Sequence, residues 1–133
     1  MKYKTLEHTA DVGIKVFGKT IKELFKNSAF ALFDFLIDVK VKAIKKKKIK
    51  LSAQNLEDLL VGWLNELIFL FFTYQFVPIK YLISIRQNKL EAEIYGQNLK
   101  NVKVNTEIKA ATYHNLKIKK NKEGFEANII FDV

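Results

Sequence analysis

At 133 residues the chain has the length of one ordinary domain, able to bury about two thirds of the surface its unfolded form exposes. Apolar residues make up 49% of it, eleven Phe and five Tyr among them, which excludes a disordered tail. Cysteine is absent, so disulfides, zinc fingers and a thiol nucleophile are excluded as well. The net charge of +9 is local: seven lysines between Lys40 and Lys50 carry most of it, and without them 16 basic residues face 14 acidic ones.

The start, Met1-Lys2-Tyr3-Lys4, has no apolar stretch behind it of the kind a signal peptide needs, so a cytoplasmic protein is expected. Residues 3–6 and 12–17 read as short strands. In the second, Val12, Ile14 and Val16 share one face, and Asp11, Gly13, Lys15 and Phe17 the other. Thr20 opens a helix, with Glu23 three residues on as a capping box. Ile21, Leu24, Phe25, Ser28, Leu32, Phe33 and Leu36 then recur at helical spacing.

Val39, Val41 and Ala43 alternate with lysines, and Ile49 and Leu51 resume beyond Lys45, Lys46, Lys47 and Lys48, which suggests one or two lysine-rich strands. Such lysines either guard a solvated sheet edge or form a patch facing RNA or a partner. Asn55 can cap a second helix with Glu57 and Asp58 in its first turn, and Pro78 marks a limit it should not cross. The apolar run over residues 59–76 carries Asn65 and Glu66 at its centre, and a charge there costs about 2.5 kcal/mol or more in a bilayer. It reads as a core helix, and no membrane association is expected.

Residues 79–86 and 90–95 read as strands around a turn at Gln87-Asn88-Lys89, 96–104 as a loop, and 106–119 and 125–133 as the last two strands. No linker or repeat divides the chain. The expectation is one α+β domain over residues 1–133: two amphipathic helices packed on a largely antiparallel β-sheet.

Few side chains could carry chemistry. The five glycines are scattered singly, so no phosphate loop is formed, and no nucleophile motif is present. His8 and Asp11 lie three residues apart between two strands, and Asp132 is followed by Val133, whose terminal carboxylate would lie one residue away. If the last strand lies beside the early one, Asp11 joins them, and three crowded carboxylates need a proton or a cation between them. Oxygen-only ligands suit calcium or magnesium, and zinc through His8 and His114 would lack sulfur ligands. Lys109 and His114, five positions apart, face opposite ways on a regular strand unless a bulge intervenes.

Several segments, in order, resemble the archease family. They are His8-Thr9-Ala10-Asp11-Val12-Gly13, Gly18-Lys19-Thr20 with Glu23-Leu24-Phe25, Leu56-Glu57-Asp58-Leu59-Leu60 with Trp63-Leu64-Asn65-Glu66-Leu67, Glu107-Ile108-Lys109-Ala110-Ala111-Thr112-Tyr113-His114, and Phe131-Asp132-Val133. The resemblance implies a non-enzymatic partner of the RtcB-type tRNA-splicing ligase, which joins tRNA halves through a guanylylated histidine with GTP and a divalent metal. The partner promotes guanylylation and multiple turnover. RNA would be met through the ligase complex. The implied metal ligands are Asp11 and Asp132, to which Val133 would add its carboxylate, with calcium the expected ion and magnesium or manganese the alternatives. Lys109 is implied as a contact to the ligase active site, and His114 and His8 are further candidates. The Lys45–Lys48 run is not a motif of the family. The competing expectation is an RNA-binding or chaperone-like modulator of tRNA-modifying enzymes.

Overall fold

A computed structural model describes residues 2–6 and 11–133 of the chain. In chain order the elements are β1 (Tyr3–Leu6), β2 (Asp11–Gly18), α1 (Ile21–Leu36), β3 (Lys45–Ser52), α2 (Leu56–Tyr74), β4 (Phe76–Arg86), β5 (Lys89–Asn98), β6 (Ala110–Thr112), β7 (Ile118–Asn121) and β8 (Gly124–Asp132). The α+β expectation holds, but the strands form two antiparallel sheets. One runs β1-β2-β8-β6, with β7 also on β8, and the other runs β3-β5-β4.

Both helices begin where the sequence predicts. Thr20 Oγ1 accepts the Glu23 amide at 3.1 Å, and the Glu23 carboxylate accepts the Lys19 amide at 3.3 Å. Asn55 Oδ1 accepts the Asp58 amide at 2.8 Å, satisfying a donor that a helix start would otherwise leave unpaired. α2 ends before Pro78: Gln75 turns left-handed at φ 56°, and its amide returns to the Leu70 and Phe71 carbonyls. Pro78 instead lies inside β4, at a register shift between Pro78 and Lys80. Gly96 is paired with it, and a Cβ there would overlap the Val77 carbonyl oxygen, so only glycine fits. Gln87 and Asn88, both at positive φ, make the two-residue turn of the β4–β5 hairpin.

One buried cluster unites both helices and both sheets. Leu24, Phe25, Leu32 and Leu36 bring α1 to it; Leu60, Trp63, Leu64 and Leu67 bring α2. Trp63 is fully buried, donates its indole N–H to the Phe25 carbonyl at 3.0 Å, and meets Tyr81 edge to face. β1 is tied to α1 by the Tyr3 hydroxyl on the Asp34 carboxylate, a contact that pushes the Tyr3 hydroxyl up to about 12. Among the described residues no helix is long and apolar enough to cross a membrane.

Three predicted elements differ. Residues 37–44 make no strand, so the lysine-rich segment supplies one strand, not two. β5 runs through Gly96 to Asn98, where a loop was expected. The strand expected over 106–119 shrinks to β6 and β7, separated by a turn in which Asn115 adopts positive φ.

Candidate functional site

The last strand does lie beside the early one. β8 pairs antiparallel with β2 from Phe125 to Asp132, so Val12, Ile14 and Val16 stand beside Phe131, Ile129 and Ala127 on one face of the sheet. The same register sets Asp11 directly opposite Asp132. Residues opposite one another across antiparallel strands place their side chains on one face, about 4.5–5.5 Å apart at Cβ. Two carboxylates so placed repel, and neither has a basic partner within ion-pair distance among the described residues.

β8 is flanked on its other side by β6, whose Ala110 pairs with the same Asp132. The Lys109 amide donates to the Asp132 carbonyl at 2.8 Å. Asp132 thus sits on the central strand of three, with Asp11 on one side and the Lys109-Ala110 main chain on the other. Asp132, Lys109 and Val133 are exposed and Asp11 half-exposed, so the cluster opens to solvent at one end of the sheet.

His114 is placed apart. β6 runs from the Asp132 level toward Ile130, and the chain leaves β8 after Thr112, rejoining it at Ile118 opposite Ala127. His114 stands in that excursion, exposed, its amide 3.4 Å from Thr112 Oγ1 and its ring 3.3 Å from the Asn115 amide group. The turn separates Lys109 from His114 where strand alternation alone was expected to do so. His8 lies outside the described residues.

Asn65 was missed as a site residue. From α2 its side chain brackets Ala111, accepting the Ala111 amide at 2.8 Å and donating to the Ala111 carbonyl at 3.3 Å. It stands in for the strand that β6 lacks on its free edge, and so fixes the short segment that carries Lys109. A polar side chain inside an apolar helix was the available signal. Glu57 does the same for β7, accepting the Ile118 amide at 3.1 Å. Asn65→Ala is expected to leave Ala111 unpaired at a cost of about 1–3 kcal/mol. Amide exchange should accelerate at Ala111 while the Trp63 neighbourhood keeps its protection; unchanged exchange at Ala111 would remove Asn65 from this role.

As a donor set, the cluster offers oxygen alone. Among the described residues no three His, Cys, Asp or Glu side chains gather as for a metal ion. Asp11 and Asp132 supply two carboxylates, and a hard divalent cation would relieve their repulsion. These residues fit such an ion, with a third oxygen needed from the main chain.

The lysine run does not form one patch. Lys46, Lys48 and Lys50 pair with Tyr95, Glu93 and Glu91 on the sheet face away from the core. Lys47 turns the other way, its ammonium 4.7 Å from the Tyr74 ring centre and 5.5 Å from that of Phe76, at the C-terminal end of α2 where a cation is favoured. Lys46 bonds Glu93 at 3.1 Å, which holds the Glu93 carboxyl below its ordinary value and the Lys46 ammonium above its own.

Residues 3–133 match the Archease protein family (MTH1598/TM1083). An archease of Methanosarcina barkeri is 37% identical over 99% of this chain and 96% of its own length, and one of Archaeoglobus fulgidus is 30% identical over the full length of both. Among solved structures, protein 1598 of Methanobacterium thermoautotrophicum superposes with a TM-score of 0.78 at 25% identity, covering 98% of each chain. A Thermotoga maritima protein described as an archease and possible chaperone superposes at 0.68 with 26% identity, covering 98% of this chain and 96% of its own.

Proposed function

The chain belongs to the archease family, and on that premise we propose that it is an accessory protein that activates an RtcB-type tRNA-splicing ligase by promoting its guanylylation and its repeated turnover. The observation that carries this reading is the convergence of Asp11, Asp132 and the Lys109 main chain at one solvent-open end of the first sheet. A site built on the ends of three paired strands is rigid, and here it projects outward, suited to a second protein's active site more than to a small substrate in a cleft.

In this reading Asp11 and Asp132 would hold a divalent cation, with Val133 adding main-chain oxygen. When bound, the ion supplies positive charge toward phosphate oxygens. The chain's own residues position it: β2 and β6 clamp Asp132 from both sides, and Asn65 holds β6 in place. Lys109 reaches beyond the sheet end toward the ligase's nucleotide, where a lysine acts as a point charge.

The test is RNA ligation under multiple turnover, with a cognate ligase and radiolabelled GTP, in the presence and absence of this protein. Both the guanylylated fraction and the number of turnovers should rise, saturating below one copy per ligase if contact is transient. Lys109→Ala should weaken activation without lowering thermal stability, because an exposed lysine contributes little to the fold. Unchanged guanylylation, or GTP turnover by this protein alone, overturns the reading.

A further inference from the structure

The outer face of the three-stranded sheet is unoccupied by either helix and carries a surplus of positive charge. Residues that alternate with the buried Ile49, Ala92 and Ile83 share this face. Across it the register sets Lys46, Tyr95 and Lys80 in one row, Lys48, Glu93 and Leu82 in the next, then Lys50, Glu91 and Ser84. Arg86 and Lys89 close the row at the hairpin end, paired opposite one another. Six cations therefore face two carboxylates. Only two of the six make ion pairs among the described residues, Lys46 with Glu93 at 3.1 Å and Lys50 with Glu91 at 3.7 Å. Both pairs are exposed, so they exchange readily for another anion.

The arrangement is ordered along the strand. Lys46, Lys48 and Lys50 repeat every second residue, about 6.8 Å apart, a spacing of the order of successive phosphates in an extended single strand. Tyr95 stands half-buried between Lys46 and Lys80, the Lys80 ammonium 5.3 Å from its ring centre, and Leu82 beside it is 49% exposed. Aromatic and apolar surface between cations offers unpaired bases a stacking platform while the lysines track the backbone. An acidic protein surface would match the charge but would leave Tyr95 and the regular spacing without use.

We infer that this face binds a single strand of nucleic acid, its phosphates along Lys46, Lys48 and Lys50 and a base against Tyr95 and Leu82. The surface belongs to the second sheet, whereas Asp11 and Asp132 belong to the first, so binding here is independent of the proposed ligase activation.

The probe is a fluorescently labelled 20-nucleotide RNA of mixed sequence, titrated with the full chain by anisotropy between 50 and 200 mM salt. Affinity should fall linearly in a log–log plot, by about 0.7 per phosphate neutralised. Neutralising Lys48 and Lys80 together as Lys48→Gln and Lys80→Gln should weaken binding tenfold or more and reduce that slope by about 1.4. Tyr95→Ala should weaken binding with the slope retained. The comparison variant, Lys119→Gln with Lys122→Gln on the β7–β8 hairpin, should bind as the parent does, and circular dichroism should show all variants folded. The inference is overturned by absence of binding, by equal weakening in both lysine doubles, or by an unchanged affinity in Tyr95→Ala. Polyglutamate competing as well as the RNA, base for residue, would likewise overturn it in favour of an acidic protein partner.

Discussion

Asp132→Ala is expected to reduce activation of multiple-turnover ligation at least tenfold while the protein stays folded. The side chain is exposed, and the strand keeps its place through main-chain bonds and through buried Ile130 and Phe131, none of which the substitution touches. Removing one of two opposed carboxylates also relieves repulsion with Asp11, so the melting temperature without divalent ions should hold or rise. The parent should instead gain stability as calcium, magnesium or manganese is added, because an ion that binds only the folded state stabilises it. Asp132→Ala should lose that gain. Asp11→Ala should behave the same way, and the double variant should be no worse than either single one, as expected of residues acting as a unit. An Asp132→Ala protein that activates ligation normally would show that this cluster is not the working site.

Trp63→Ala should produce the largest loss of stability from one substitution, about 3–5 kcal/mol. The ring is fully buried between α1 and the second sheet, with its N–H on Phe25 and its edge on Tyr81. No neighbour can collapse into a space so large, because the surrounding Leu60, Leu64 and Leu67 are themselves packed on the same cluster. A domain with a total stability of about 5–15 kcal/mol would retain little after that loss. Urea unfolding followed by circular dichroism measures it, since the variant lacks the chain's single tryptophan. Trp63→Phe should cost less, keeping an aromatic ring in the site. A loss below about 1 kcal/mol for Trp63→Ala would mean that α1 and α2 are held together elsewhere.

Both helices were legible in the sequence because their signals are local. A cap, a first-turn acid and a stripe at 3.6-residue spacing act within a few residues, and Thr20, Asn55 and the apolar stripe of α1 all behave as read. The alternation of β2 was legible for the same reason, with Val12, Ile14 and Val16 on one face and Asp11 on the other. Strand partners are not local. That Asp11 meets Asp132 could be stated only as a condition, since 121 positions separate them and a shift of one residue would have put them on opposite faces. The tertiary structure decided that register, through the packing of Val12, Ile14 and Val16 against β8.

Other features came from the tertiary structure alone. The division into two sheets depends on which edges find partners, and β5 pairs with β3 on one side and β4 on the other, none of them joining the first sheet. β6 carries too few residues to show a period, and its place is set by Asn65, a contact between residues 46 positions apart. The lysine run looked like one patch because its members are adjacent; pleating sent alternate lysines to opposite faces, some to Glu91 and Glu93 and one to the end of α2. Composition and spacing determined the helices, the apolar faces and the residues available for chemistry. Which of those residues meet was decided by long-range packing, because a side chain's partner across a sheet depends on burial gathered from the whole chain.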